Sequence, residues 1–277
     1  MKPELRDLSG LFSLEGKVAL VTGGAGILGR HFCLGLAQYG ATVVCGDLDL
    51  ESAEEFCAEA NSQFGVTIEP LALDVAAPNS VAKAISSIVE KHGQIDILHN
   101  NAAAKSSDLA KFFTAFEEYD LNTWREIMSV NVDGMFLVAQ AVGRQMVKQK
   151  TGGAIVQTAS IYGLSAPDNR IYEGSEYNGM KINTPAVYAA SKAAVIGLTG
   201  YLSTYWAKQN IRVNTIVPGG VESGQNDVFK GNYSKRVPLG RMAHAHEMVG
   251  ALIFLSSDAA SYVTGQNITV DGGLTAW

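Results

Sequence analysis

The chain has 277 residues, of which 47% are hydrophobic and 17% charged, a balance typical of a globular protein with one large continuous core. Its formal net charge of -6 argues against a general nucleic-acid-binding surface. No uncharged apolar run approaches the roughly 20 residues that a membrane helix needs. The N-terminal residues include acids and no long apolar stretch, so no signal peptide is predicted.

The three cysteines, Cys33, Cys45 and Cys57, have neither CxxC spacing nor an even count. This usage is typical of reduced structural thiols rather than of a metal site or a disulfide. It favours a cytoplasmic protein. The five histidines do not form a convincing set of metal ligands, so no metal is expected.

Strand-like and helix-like segments alternate along almost the whole chain. Short apolar runs predict seven strands, over residues 17–22, 41–45, 70–73, 95–99, 154–158, 211–217 and 267–270. Helical spacing of apolar residues predicts the helices between them, over residues 28–39, 51–64, 81–91, 123–148, 187–209 and 245–256.

This alternation predicts an α/β fold, a Rossmann-type doubly wound parallel sheet of about seven strands with helices on both faces. No linker or low-complexity run divides the chain, so residues 1–277 are expected to form a single dinucleotide-binding and catalytic domain, with residues 1–15 as an N-terminal extension. Right-handed crossovers leave a crevice at the carboxyl ends of the strands. Functional residues are therefore expected just after strands.

A glycine-rich turn follows the first predicted strand. Between Thr22 and Gly29 the sequence reads TGGAGILG and leads directly into a helix. Glycines there let the backbone approach a pyrophosphate, whose charge lies at the helix N-terminus. Taken alone, such a cluster is also compatible with a plain tight turn.

An acidic residue, Asp47, ends the second predicted strand. A carboxylate in this place accepts hydrogen bonds from the ribose hydroxyls of adenosine and repels a 2′-phosphate. No arginine follows it nearby, so the expected cofactor is NAD(H) rather than NADP(H). A plain turn or helix-cap role for Asp47 is the alternative.

Tyr188 and Lys192 lie four residues apart on a predicted helix and therefore share one face. The reference pKa of a tyrosine, near 10, is too high for efficient proton exchange at neutral pH. A nearby ammonium group and an oxidised nicotinamide would lower that pKa. Tyr188 could then exchange a proton while a hydride moves. The alternative for such a pair is a buried ring beside an exposed charge.

The ordered set of motifs, from about residue 16 to residue 273, resembles the short-chain dehydrogenase/reductase family in its single-domain branch. The glycine-rich turn is similar to the pattern Thr-Gly-x-x-x-Gly-x-Gly, although Ile27 stands where the family has its middle glycine. Residues 100–103 are similar to Asn-Asn-Ala-Gly, with Ala103 replacing the glycine. In the segment after Pro218, Ser223 keeps the hydroxyl of the family threonine.

The resemblance implies a catalytic set of Asn131, Ser160, Tyr188 and Lys192. Ser160 would hydrogen-bond the substrate oxygen and stabilise developing negative charge. Asn131 would support a water relay to Lys192, which would also hold the nicotinamide ribose. The expected cofactor contacts are Gly23, Gly26, Ile27, Leu28, Gly29, Asp47, Leu48, Asp74, Val75, Asn101, Ala102, Tyr188, Lys192, Pro218, Gly219, Val221 and Ser223.

Three segments that follow strands are long, polar and aromatic: residues 104–121, 166–185 and 223–237. They predict a hydrogen-bonding pocket for a small, carbohydrate-like substrate. Residues 170–177, together with residues 182–188, are similar to a bacterial branch associated with flagellin modification and surface-sugar synthesis. The alternatives are a general polyol, sugar-acid or 3-oxoacyl reductase, and a non-catalytic NAD-binding sensor.

The resemblance also implies a homodimer or homotetramer and no nucleic-acid or membrane partner. The family pairs the helices predicted at residues 123–148 and 187–209 between subunits. Apolar residues on these two helices suggest such a contact: Val138, Val142, Met146, Leu198, Leu202 and Trp206.

Overall fold

The computed structural model describes residues 7–106 and 108–277, so Ser107, within the predicted substrate segment 104–121, and the first six residues of the predicted N-terminal extension lie outside the described residues. The strands of the described chain are β1 (Val18–Thr22), β2 (Thr42–Asp47), β3 (Ile68–Ala72), β4 (Ile97–Asn100), β5 (Gly153–Thr158), β6 (Glu176–Tyr177), β7 (Met180–Lys181), β8 (Ile211–Pro218) and β9 (Asn267–Val270).

Seven of these strands form one sheet in the order β3-β2-β1-β4-β5-β8-β9. Every neighbouring pair in this sheet is parallel. The predicted Rossmann-type sheet is therefore confirmed. On one side of β1 the chain adds β2 and then β3. It then crosses to the other side of β1 and adds β4, β5, β8 and β9. The reversal between β1 and β4 opens a crevice at the carboxyl ends of those two strands.

The helices that cover the sheet are α1 (Ile27–Gln38), α2 (Leu50–Phe64), α3 (Pro78–His92), α4 (Leu109–Phe112), α5 (Leu121–Met128), α6 (Met135–Gln149), α7 (Ala186–Tyr205), α8 (Asp227–Ser234) and α9 (Val249–Ser256). The predicted helix over residues 123–148 is interrupted: a π-helix, Ser129–Gly134, joins α5 to α6. Neither α4 nor α8 was predicted, because both are short and lie in the polar segments assigned to substrate binding.

The side chains of β1 alternate between two apolar cores, one on each face of the sheet. Ala19 and Val21 pack with α1 and α9, and Leu20 packs with α3 and α6. This alternation follows from the two-residue period of a strand. Strands buried on both faces read as continuous apolar runs, which is the pattern that predicted them.

The core on the face of the sheet that α3 and α6 cover also contains most of the residues expected to pair helices between subunits. Five of them are buried inside the chain: Val138, Val142, Met146, Leu202 and Trp206. Leu198 packs against the same core. The apolar side chains that α6 and α7 expose are Phe136, Val147, Tyr201 and Tyr205. The two tyrosine rings stack with centroids 5.7 Å apart.

A small hairpin of β6 and β7 and the helix α8 cover the carboxyl-end side of the sheet. The Asn226 side-chain amide donates to the Glu176 carbonyl oxygen at 3.0 Å. The Asn232 amide donates to the Glu173 carbonyl oxygen at 3.0 Å. Two of the predicted substrate segments, 166–185 and 223–237, are therefore tied to each other. In the described part of the chain, no helix has both the length and the apolar character needed to cross a bilayer.

Candidate active site

A cavity of about 670 Å³ lies in the crevice between the glycine-rich turn, the end of β2 and the segment after β4. Its walls include many of the predicted cofactor contacts, namely Gly23, Gly26, Ile27, Leu28, Gly29, Asp47, Leu48, Asp74, Val75, Asn101, Ala102, Val221 and Ser223.

Four predicted cofactor contacts do not line this cavity: Tyr188, Lys192, Pro218 and Gly219. Pro218 ends β8, and the Gly219 amide donates to the Val270 carbonyl oxygen at 2.9 Å. Other wall residues were not predicted as cofactor contacts, although Ala25 and Ala103 lie within the motifs: Ala25, Asp49, Ser52, Leu73, Ala103, Ala104, Lys105 and Val130.

The glycine-rich turn passes unusually close to its neighbours. Gly23 has φ +62°, and a Cβ there would lie 2.9 Å from the Cα of Ala102. A Cβ on Gly29 would lie 2.0 Å from the Gly23 carbonyl oxygen, so only glycine fits. Helix α1 begins at Ile27 and receives no side-chain cap from Gly26. Its first amides are thus suited to a phosphate.

The residue that replaces the middle family glycine does not block this turn. Ile27 is the first residue of α1, and its side chain is 56% exposed on the cavity wall. The departure from the family pattern therefore adds an apolar surface at the cavity and leaves the turn intact.

Asp47 serves the turn and faces the cavity at the same time. One carboxylate oxygen accepts from the Ala25 amide at 2.9 Å, and the other accepts from the Asp49 amide at 3.0 Å. These bonds orient the carboxylate, and each oxygen keeps a further lone pair for a ribose hydroxyl. Arg30, which follows the turn, donates to the Ala25 carbonyl oxygen at 2.8 Å and stacks on the Phe56 ring.

The Thr22 hydroxyl joins the end of β1 to the end of β4 and the segment after it through three hydrogen bonds. The Thr22 hydroxyl accepts from the amides of Asn101 at 2.9 Å and Ala102 at 3.0 Å. It lies 3.3 Å from the side-chain oxygen of Asn100, to which it donates. These hydrogen bonds hold β1 and β4 together at the point where the sheet order reverses.

Ser160, Tyr188 and Lys192 meet at the carboxyl end of β5. Ser160 follows β5 and is buried, while Tyr188 and Lys192 lie in the first turns of α7. The Lys192 ammonium is 5.8 Å from the centroid of the Tyr188 ring and donates to the Thr158 carbonyl oxygen at 3.1 Å. The Ser160 hydroxyl accepts from the Tyr162 amide at 3.2 Å and is near enough to the Tyr188 phenol to lower its pKa. The structure thus brings together three residues that are distant in the sequence.

The protein groups around Tyr188 raise its pKa, chiefly because the hydroxyl is buried, and the nearby Ser160 hydroxyl opposes this. Burial lowers the pKa of Lys192 to about 8. The lowered tyrosine pKa that the sequence suggests is therefore not supplied by the protein groups alone. An additional positive charge, such as that of an oxidised nicotinamide ring, is the remaining source.

Asn131 is buried in the π-helix between α5 and α6. Its side-chain oxygen accepts from the Ala104 amide at 2.8 Å, and its nitrogen lies 3.4 Å from the Ser191 hydroxyl. Asn131 therefore holds the segment after β4 against α7. The water relay to Lys192 stays a prediction, since the described side-chain contacts of Asn131 are with Ala104 and Ser191.

Three further tyrosines, Tyr162, Tyr172 and Tyr233, lie near Tyr188. Burial raises the pKa of Tyr162, and the charged forms of Tyr172, Tyr233 and Tyr188 are near enough to raise it further. The Tyr233 hydroxyl accepts from the Gly220 amide. A Cβ on Gly220 would lie 2.5 Å from the Tyr233 ring, so a side chain there would displace the ring from the site.

Several polar residues that were expected to contact substrate are bonded within the protein instead. Asp168 pairs with Arg170 at 2.8 Å and also with Arg236. Asn226 accepts from the Phe229 amide and so caps α8. Gln225 donates to the Val221 carbonyl oxygen at 3.0 Å. A polar side chain with a close internal partner has less capacity left for a ligand. These residues therefore serve to fold the segments 166–185 and 223–237 near the site.

Comparison with known proteins places the chain in a family. A family model described as enoyl-(acyl carrier protein) reductase matches residues 23–275. The 3-oxoacyl-[acyl-carrier-protein] reductase FabG of Thermotoga maritima is 36% identical over 265 residues, which cover 94% of this chain and 98% of that protein.

Two solved structures are similar over nearly their whole length. A gluconate 5-dehydrogenase from Burkholderia cenocepacia J2315, in complex with NADP and tartrate, is 33% identical with a TM-score of 0.85, covering 97% of this chain and 98% of that one. A short-chain dehydrogenase from Leptospira borgpetersenii with bound NAD⁺ is 33% identical with a TM-score of 0.83, covering 99% and 98%.

The chain belongs to the short-chain dehydrogenase/reductase family. It is an oxidoreductase that transfers a hydride between a nicotinamide dinucleotide and an alcohol or ketone carbon. The turn, the uncapped start of α1 and the Asp47 carboxylate fit the phosphates and ribose of such a cofactor.

Proposed function

We propose that the protein is an NAD(H)-preferring dehydrogenase or ketoreductase that acts on a polar, carbohydrate-like substrate. One observation supports the hydride-transfer chemistry: Ser160, Tyr188 and Lys192 lie close together at the strand ends beside the cofactor cavity. A non-catalytic sensor would not need these three groups side by side.

In this proposal Tyr188 takes the proton of the alcohol during oxidation and returns it during reduction. Ser160, which lies near Tyr188, holds the substrate oxygen beside the phenol and stabilises the charge that develops on it. Lys192 is held by the Thr158 carbonyl and keeps a cation near the ring. The nicotinamide supplies or accepts the hydride. Asn131 positions the segment after β4.

The preference for NAD(H) rests on Asp47. Its carboxylate is fixed at the cavity wall by two amides, in the place where a 2′-phosphate would lie. Arg30 is engaged by the Ala25 carbonyl and the Phe56 ring, so it is not directed to that position. The known relatives include proteins with NAD⁺ and with NADP, which makes this wall the deciding feature.

A carbohydrate-like substrate is supported by the polar cover over Tyr188. Hydroxyl groups of Tyr162, Tyr172 and Tyr233 cluster near the catalytic phenol. The similarity to a gluconate 5-dehydrogenase agrees with this chemistry. The second candidate is a 3-oxoacyl reductase, which the similarity to the Thermotoga maritima protein favours.

We further infer a homodimer or homotetramer, a single catalytic domain and a cytoplasmic location. The exposed, stacked Tyr201 and Tyr205 on α7 support a subunit contact on that helix. Leu14, which is 1% exposed, packs the N-terminal segment onto the main core. Free buried cysteines are typical of a reducing compartment.

A substrate panel with both cofactors tests the proposed function. Purified enzyme is assayed with polyols, sugar acids, simple aliphatic ketones and a 3-oxoacyl thioester, each with the appropriate NAD or NADP form. We expect the highest kcat/KM for a carbohydrate with NAD(H). A clear preference for the thioester or the aliphatic ketones would contradict the carbohydrate assignment.

A further inference from the structure

A second cavity, of about 240 Å³, lies between the segment before α5 and the start of α7. Tyr119 lines one side, and Asn169, Tyr172, Asn183 and Thr184 line the others. We call it the Tyr119–Asn183 cavity. None of the described residues on its wall carries a charged side chain. It has room for several water-sized groups.

The Tyr119–Asn183 cavity and the surroundings of the reacting group share one side chain, that of Tyr172. Tyr172 belongs to the cavity wall and is near enough to Tyr188 to affect its pKa electrostatically. The wall also includes Ala186, in the first turn of α7, the helix that carries Tyr188. A substrate whose oxygen is held by Tyr188 would extend along Tyr172 to reach this cavity.

Two wall residues have buried polar atoms without a hydrogen-bond partner among the described residues. They are the hydroxyl of Tyr119 and the side-chain oxygen of Asn183. The nitrogen of Asn183 donates to the Phe113 carbonyl oxygen at 2.8 Å, which fixes its oxygen as the atom left over. Only one other buried side-chain atom of the described chain, in Ser256, is in this condition. A buried polar group without a hydrogen-bond partner costs free energy of folding. Because two such groups belong to wall residues of one cavity, they point to a ligand that pairs with them.

The two atoms select the chemistry of that ligand. The phenol of Tyr119 donates a hydrogen bond, and the amide oxygen of Asn183 only accepts one. A ligand hydroxyl both accepts and donates, so hydroxyl groups can pair with both atoms. A carboxylate accepts only and would face the Asn183 oxygen without a proton between them. An alkyl chain would pair with neither.

We propose that the Tyr119–Asn183 cavity binds an uncharged, hydroxylated end of the substrate, remote from the carbon that is oxidised. This inference rests on the proposed function and narrows it: the substrate is a neutral polyol or the corresponding ketose. Sugar acids that place a carboxylate at this end, and acyl thioesters, leave the Asn183 oxygen without a donor and should bind less well. The aromatic rings of Tyr119 and Tyr172 offer flat apolar surfaces for the carbon chain between hydroxyls.

The test compares the wild-type enzyme with Tyr119→Phe and Tyr177→Phe. The first variant removes one unpaired hydroxyl and no hydrogen bond within the described protein. The second makes the same change on the exposed hairpin, at a tyrosine that does not line the cavity, and is the matched control. The substrates are tetritols, pentitols and hexitols, aldonates of the same chain lengths, and a 3-oxoacyl thioester.

We expect the best polyol to have a higher kcat/KM than its matched aldonate. Tyr119→Phe should lower kcat/KM for that polyol about 3- to 10-fold, mainly through KM, because one hydrogen bond to the substrate is lost. Tyr177→Phe should leave it unchanged. A preference for aldonates, or an unaltered KM in Tyr119→Phe, would overturn the role of the cavity while the carbohydrate function stands. Turnover of the thioester alone would overturn both.

Discussion

His99 on β4 makes the stability of the protein depend on pH in a way that can be calculated. Its ring is fully buried, and one ring nitrogen, Nδ1, lies 3.1 Å from the Val156 carbonyl oxygen. Only a donor fits there, so Nε2 must accept from the Thr158 hydroxyl, 3.3 Å away. The ring of Phe32 packs edge-on at 4.3 Å. These contacts suit the neutral ring, and complete burial disfavours the charged form.

Burial lowers the pKa of His99 from 6.5 to about 3. Between these two values the unfolded chain binds more protons than the folded one, so stability falls as the pH falls below 6.5 and continues to fall toward 3. At pH 5 the loss is about 2 kcal/mol relative to pH 7, since each pKa unit corresponds to about 1.4 kcal/mol.

The measurement is urea unfolding of the wild-type protein and of His99→Gln at pH 7 and pH 5. His99→Gln should be less stable than the wild type at pH 7, because the ring contacts are lost. The gap in unfolding free energy should narrow by about 2 kcal/mol at pH 5. The same substitution at the exposed His246 serves as control. A gap that stays constant across this range would refute the buried neutral ring.

Three further predictions concern the cofactor, the acid–base group and the assembly. Asp47→Ala should narrow the preference of the enzyme for NAD(H) over NADP(H) by about 10- to 100-fold, because a charged partner of the ribose hydroxyls is lost. Calorimetric titration with both cofactors measures this preference. Tighter binding of NADP(H) than of NAD(H) by the wild type would contradict the role of Asp47. Tyr188→Phe should lower kcat by about 10²- to 10⁴-fold and leave the Kd for NAD within a few-fold, and near-normal turnover would remove Tyr188 from its role. Light scattering at micromolar concentration should give a dimeric or tetrameric mass for the wild type and a smaller mass for Tyr201→Arg, whereas a monomeric wild type would count against the subunit contact on α7.

Much of the fold follows from local sequence pattern. The buried strands are short apolar runs, and the helices repeat their apolar residues at helical spacing, so each could be predicted from residues close together in the chain. The connection order then restricts the sheet to a doubly wound topology. The glycine-rich turn was predictable for the same reason, since Gly23 and Gly29 act within one strand–turn–helix unit.

The interruption at Ser129–Gly134 was not predictable from spacing, because a π-helix keeps a nearly helical pattern of side chains. The low helix propensities of Asn131 and Gly134 were the local signal. The partners of Asn131, Ala104 and Ser191, come from other parts of the chain and were visible only after folding.

The sequence by itself determined the family, the sheet and the identity of Ser160, Tyr188 and Lys192, because ordered short motifs carry that information. Only the tertiary structure decided the electrostatics of these groups: burial raises the pKa of Tyr188 and lowers that of Lys192. It also decided which polar residues remain for a ligand. Tyr119 and Asn183 meet on one cavity although neither belongs to a motif, since desolvation and hydrogen-bond pairing depend on contacts between segments that only packing brings together.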